Sequence, residues 1–204
     1  MLLELQRGLE ELYRLEPSPD VRAFVLDDAA RRRLGLARTP REQLLLCERD
    51  GELELGLFVD PRTLANLERH DPRRGIGDHN LPDLCIAVEG VSHFVFMAHR
   101  AREDMPVSGL ELELQAEIDK YVTCVLLEAP SAELRARLFE GVQYHADLSA
   151  EERERYAMAN DCAARYALSL ETRFVDERRI PDMLDELRRF YRKNLPDKLA
   201  AINP

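Results

Sequence analysis

The chain has little lysine: Lys120, Lys193 and Lys198 are the whole complement, so its basic charge is nearly all arginine. It has no C-x-x-C pair; Cys47, Cys85, Cys124 and Cys162 stand far apart among apolar neighbours. That excludes a zinc ribbon or a dithiol redox motif and reads as buried, reduced thiols. Gly and Pro are at ordinary levels, and no Ser/Gly/Gln-rich tract or tandem repeat interrupts the chain, so nothing marks it as disordered or solenoidal. The longest uncharged stretch, Gly90 to Ala98, falls short of the roughly 20 residues a bilayer demands. Residues 1–15 carry Glu4, Glu10 and Glu11 and lack a signal-peptide core. The expectation is a cytoplasmic protein without a membrane segment.

Catalytic signatures are also missing. There is no H-E-x-x-H, no G-x-S-x-G, and no phosphate loop, since "RRGIGDHN" (73–80) lacks the glycine spacing and lysine. That segment reads as a flexible connector. The formal charge of −10 disfavours nucleic acid and anionic membranes. The arginine clusters 31–33, 73–74 and 178–179 carry no interleaved aromatics and read as solvated helix faces.

What is present is 204 residues, 45 % hydrophobic and 33 % charged, enough for one sizeable core. Leu2, Leu5, Leu9, Leu12 and Tyr13 recur at helical steps, and "EPSPD" (16–20) ends that helix. "VRAFVLDD" predicts a strand over 21–26, followed by a helical turn stopped by Gly35. Residues 43–59 predict a hairpin about Asp50-Gly51, with Leu53, Leu55, Leu57 and Val59 on a buried face opposite a mostly polar one. Asp60 and Pro61 open a helix. From 81 onward the pattern is helical: 81–103, a helix to about 128 opened by Ser108 and Glu111, one from Ser131 to about 141, one over 149–172 opened by Ser149 and Glu152, and a last one over 181–194. Tyr156, Ala159, Ala163, Tyr166, Ala167 and Leu170 form a small-residue seam on helix 149–172, with Asn160 at its edge. The fold class is α+β, mainly α: a C-terminal helical bundle and a small N-terminal antiparallel sheet. A single domain is expected over 1–204, with a mixed portion 1–80 and a bundle portion 81–204.

One constellation could carry chemistry. Glu89, His93, Phe96 and Arg100 project within roughly 60° of one another at about 100° per residue, down an otherwise apolar helix. On the next helix Glu113, Glu117, Lys120 and Cys124 form a second stripe. A short loop about Met105-Pro106 makes the two helices antiparallel neighbours. If the stripes meet, Glu89, His93, Glu113 and Glu117 make a carboxylate–imidazole set suited to zinc, manganese or iron. Against this, the di-iron motif is Glu-x-x-His supplied twice, whereas here the spacing is four and occurs once. The favoured reading is therefore a solvated stripe of ordinary side-chain pairs, ahead of a buried hydrogen-bonded network that only fixes helix register and of a metal or catalytic site. His79 and His145, in loops beside an Asp, are further metal-ligand candidates, and His70 and His99 read as surface residues. The function expected is a non-enzymatic interaction, adaptor or regulatory protein with a protein partner or a second copy. A metal-dependent hydrolase built between helices 81–103 and 107–128 is the runner-up.

Overall fold

A computed structural model describes residues 1–34, 40–49, 52–128, 131–144 and 146–202, and for residues 48, 49, 52, 53, 131 and 132 only the backbone. The chain is 68 % helical with one two-stranded antiparallel sheet, which is the α+β, mainly α class expected. Its elements are α1 (Leu2–Tyr13), α2 (Asp28–Arg33), β1 (Glu42–Arg49), β2 (Glu52–Val59), α3 (Pro61–Arg69), α4 (Leu81–Arg102), α5 (Gly109–Leu126), α6 (Ser131–Phe139), α7 (Ala150–Leu170), α8 (Ile180–Tyr191) and α9 (Leu195–Ile202). They group into two compact units, Met1–Glu10 with Glu16–Pro106, and Glu11–Leu15 with Val107–Pro204. The division falls after α4, not before it: α4 groups with the hairpin, where the sequence pattern joins it to the bundle.

α1 begins in the first unit and ends in the second at Tyr13, with Arg14 in the left-handed region ahead of Pro17. Gln6, fully buried, ties the following turn back to α1: it donates to Glu10 Oε1 and to the Pro19 carbonyl, and it accepts from Val21 N, each at 2.9 Å. The strand expected over 21–26 is instead a 3-10 turn, Val21–Phe24, joined to the sheet by one parallel bridge between Val25 and Leu57. The Asp20 carboxylate decides this. It accepts from Arg22 N at 2.9 Å and so caps a helical turn, which outweighs the weak strand preference of Val-Arg-Ala-Phe.

The hairpin pairs Glu42 with Val59 through to Arg49 with Glu52. The expected Asp50-Gly51 turn and the Gly35 stop lie outside the described residues. Leu57 and Val59 are buried, as the alternation predicts, but the opposite face is not polar at this end. Phe58 is 2 % exposed, with the Arg31 guanidinium 3.6 Å above its ring, and Gly56 is filled over by Leu26. Asp60 accepts from Arg62 N at 2.8 Å and opens α3. Residues 73–80, expected to be a flexible connector, are pinned: the buried Asn80 side chain donates to the carbonyls of His70 and Gly75 and accepts from Gly77 N. Among the described residues α4 is the one helix long and apolar enough to cross a membrane; 61 % of its apolar window is buried in the fold, as a core helix would be.

In the second unit the Ser149/Glu152 capping box forms with both bonds, and α7 runs on into a π-helical turn, Glu171–Val175. Its seam is buried as expected: Ala159 and Ala163 are fully enclosed, Tyr166 and Ala167 nearly so, and α7 packs along α5. Asn160 donates to the Phe139 carbonyl at 3.0 Å, which fastens the end of α6 to α7. The helix expected over 181–194 ends at Tyr191. Asn194 then accepts from Asp197 N at 2.9 Å and opens α9, with Pro196 in its first turn. None of the four cysteines is in a disulfide; Cys124 and Cys162 are buried, Cys47 and Cys85 half-buried.

Candidate functional site

The first polar stripe is not on a wet face. On α4, Ser92 is 1 %, His93 5 % and Arg100 1 % exposed, and Glu89 is half-buried. The cause is Gly90. A Cβ there would stand 2.9 Å from Glu42 Cγ and 3.0 Å from Leu57 Cδ1, so the missing side chain is what lets the hairpin lie on the helix backbone. His93, the next residue along that face, meets the strand: its Nδ1 lies 3.4 Å from Glu42 Oε1, with the two side chains 6 % and 10 % exposed. Arg100 places its guanidinium 4.9 Å from the Phe96 ring centroid, and its Nη1 reaches Met105 Sδ.

The second stripe is also drawn in. Glu113 is 9 % exposed, and Lys120 donates to Glu117 Oε1 at 2.7 Å with both side chains largely covered. The expectation of a solvated stripe therefore fails on both helices. These side chains are drawn into the fold, His93 beside Glu42 and Lys120 onto Glu117.

A third polar row on α5 lies deeper. Glu111, Gln115 and Asp119, four residues apart, are 4 %, 0 % and 1 % exposed. Lys198 of α9, fully buried, donates to Gln115 Oε1 at 3.1 Å and lies 3.5 Å from Glu111 Oε1. The rings of Phe190 and Tyr191 flank its ammonium at 5.6 and 5.9 Å. Gln115 turns its amide NH2 the other way, to Asp119 Oδ1 at 3.0 Å and Tyr13 OH at 3.2 Å. The Tyr13 hydroxyl donates to Asp119 Oδ1, and its ring stacks on Tyr191 at 3.9 Å. Burial, reinforced by the Asp119 charge, holds the Tyr13 phenol protonated well above its ordinary range.

Glu89 and His93 thus belong to the first unit, Glu113 and Glu117 to the second. Within its unit His93 is brought to Glu42, and Glu117 to Lys120. Among the described residues no three His, Cys, Asp or Glu side chains gather as a metal ion requires. His79 packs edge-on to His70, while His145 lies outside the described residues. Sequence reasoning missed Glu42 and the row Glu111–Gln115–Asp119. The row was readable: three polar residues at four-residue steps share one face of a helix whose neighbouring face is apolar.

No family model matches this chain, and neither the curated proteins nor the solved structures contain a significant relative.

Proposed function

We propose that this is a non-enzymatic interaction or regulatory protein of the cytoplasm that acts on a protein partner or a second copy of itself. One observation supports the reading. Several ionisable side chains drawn into the fold meet one another: Glu42 of β1 with His93, Glu117 with Lys120, Glu111 with Lys198, Asp119 with Tyr13. Such pairs define helix register. The apolar faces of α1 and α8 are buried in the fold, so a partner would meet their polar sides, and the acidic balance disfavours nucleic acid.

The test is elemental analysis of untagged protein together with a melt in chelator. Metal-free protein with an unmoved melting temperature is expected. Stoichiometric zinc, manganese or iron that disappears in His93→Ala would overturn the reading.

A metal-dependent hydrolase centred on Glu89 and His93 of α4 stands second. It draws on the Glu42–His93 contact, because a carboxylate at one imidazole nitrogen is how metal-ligating histidines are oriented.

A further inference from the structure

Where α3 gives way to α4, the chain encloses an open depression of about 360 Å³, lined by Arg69, His70, Asp71, Arg74, Ile76 and His79. Its walls are loop, yet they are held from beneath. Asn80, fully buried, bonds to the His70 and Gly75 carbonyls at 3.1 and 2.9 Å, and Asn66 donates to the His79 carbonyl at 2.8 Å. Pro72 and Leu67 are buried. Gly77 makes room for the His79 ring, whose atoms would lie 3.0 Å from a Cβ there. The ring is thereby set edge-on to His70, with centroids 5.2 Å apart. Sites built this way are formed before the ligand arrives.

The charges sort themselves. Both Asp71 oxygens are taken by Arg73, at 2.7–3.0 Å, and this hydrogen bonding holds the Asp71 carboxyl down at about 2. Arg73 also reaches Glu4, and Glu4 pairs with the N-terminal ammonium. Two carboxylates and two cations cancel. Arg69 and Arg74 are left over: among the described residues neither has a carboxylate within 4.0 Å. Arg69 Nε donates to the Ala65 carbonyl at 3.2 Å, and the remaining N–H groups of these two exposed guanidiniums face the depression without a carboxylate partner, a setting that suits an external anion. A cation is disfavoured there, because the guanidiniums repel it and the one carboxylate in the lining is already gripped.

We infer that the depression binds a phosphate-bearing small molecule. Arg69 and Arg74 grip the phosphate oxygens, His70 and His79 donate to them through ring N–H groups, and Ile76 walls the organic part. Guanidinium forks match phosphate geometry, and imidazole N–H groups complete the donor set. The inference goes beyond the proposed function and uses none of the residue pairs on which that reading rests, so either can fail alone.

The experiment is a titration of the full chain with sodium phosphate and then phenyl phosphate, against sodium chloride at matched ionic strength, followed by histidine side-chain NMR. Saturable shifts of the His70 and His79 signals are expected, with Kd on the order of 1 mM for inorganic phosphate and tighter for phenyl phosphate. The doubly substituted Arg69→Gln/Arg74→Gln protein should bind at least about tenfold more weakly, a loss of about 1.4 kcal/mol, with its melting temperature unchanged. Arg74→Gln alone is the second variant should the double one misfold. A response no different from chloride overturns the inference. So does saturation unaffected by the arginine changes, exclusion of phenyl phosphate, or shifts produced by zinc chloride and not by phosphate.

Discussion

All six tyrosines, 13, 121, 144, 156, 166 and 191, fall in the second unit, and four of the five histidines, 70, 79, 93 and 99, in the first. The cores are built accordingly. The first unit packs a hairpin against one helix with phenylalanine and aliphatic side chains, Phe24 lying 5.1 Å from Phe94. The second stacks rings that carry hydroxyls: Tyr13 on Tyr191, and Tyr166 on Phe190 at 4.1 Å. A stacked tyrosine buries a weak acid along with its apolar face. The second unit therefore buries more titratable side chains in its interior, and Lys198 with its α5 acceptors is the extreme case. Each unit also has its own spectroscopic reporter, tyrosine near-UV dichroism for the second and histidine NMR for the first.

The largest effect is expected at Lys198. Lys198→Met takes the ammonium away from Glu111 and from the Gln115 carbonyl, and removing one partner of a buried ion pair costs about 3–5 kcal/mol. Denaturant unfolding read by tyrosine dichroism checks it. Adding Glu111→Gln should recover more than half of the loss, because the pair then goes together. A loss below about 1 kcal/mol would remove the distinction drawn between the two interiors.

Next comes the seam. Ala163 has no exposed surface where α7 meets α5, so Ala163→Leu has nowhere to place its branch and should cost about 2–3 kcal/mol. A melt of this variant that matches the parent would mean the helices do not approach as closely as the alanines imply.

Alkaline pH separates the units by titration. Burial raises the phenols of Tyr13, Tyr121 and Tyr166. The unfolded chain releases those protons near pH 10 while the folded one still holds them, so stability is complete below that pH and falls as pH rises through it. Each such tyrosine contributes a slope of up to about 1.4 kcal/mol per pH unit. The Tyr166 hydroxyl is buried without a hydrogen-bond partner, so Tyr166→Phe should be near neutral in stability at pH 7 and should flatten the alkaline loss. An unchanged alkaline slope would show that Tyr166 is more open than its surroundings suggest.

The sequence was most informative where local chemistry decides structure. Asp60-Pro61, the Ser149/Glu152 box and the alanine seam announced elements that formed as written, since caps and periodicity act within a few residues. It was least informative where a distant residue decides. Residues 21–26 are a local exception: their side chains are strand-like, but the cap supplied by the adjacent Asp20 outweighs them and turns most of them into a helical turn. The stripes through His93 and Glu117 were visible as stripes, yet whether such a stripe meets water or a partner depends on what packs over it. The partner of His93 is a glutamate fifty-one residues upstream, which no helical spacing could reveal. The anion depression was least visible of all, because its histidines and arginines line up only once Asn80 has folded the loop beneath them.

Gly90 brings the comparison to its finest point. The second unit brings helices together along a row of alanines; the first brings a hairpin to a helix at one glycine. In an ordinary helix interior Gly→Ala gains about 1 kcal/mol. Gly8 of α1 is such a site, with nothing within 4 Å of its would-be Cβ, and Gly8→Ala should stabilise by up to that amount. At Gly90 the added methyl meets Glu42 Cγ at 2.9 Å and Leu57 Cδ1 at 3.0 Å. Neither neighbour yields cheaply: Leu57 is fully buried, and the Glu42 carboxylate lies beside His93. The clash should outweigh the propensity gain and leave Gly90→Ala about 1 kcal/mol less stable than the parent. The His93 resonance should move as Glu42 is displaced, and tyrosine dichroism should not change. Should both substitutions stabilise equally, the hairpin does not rest on α4 through this glycine, and the buried setting of His93 loses its cause.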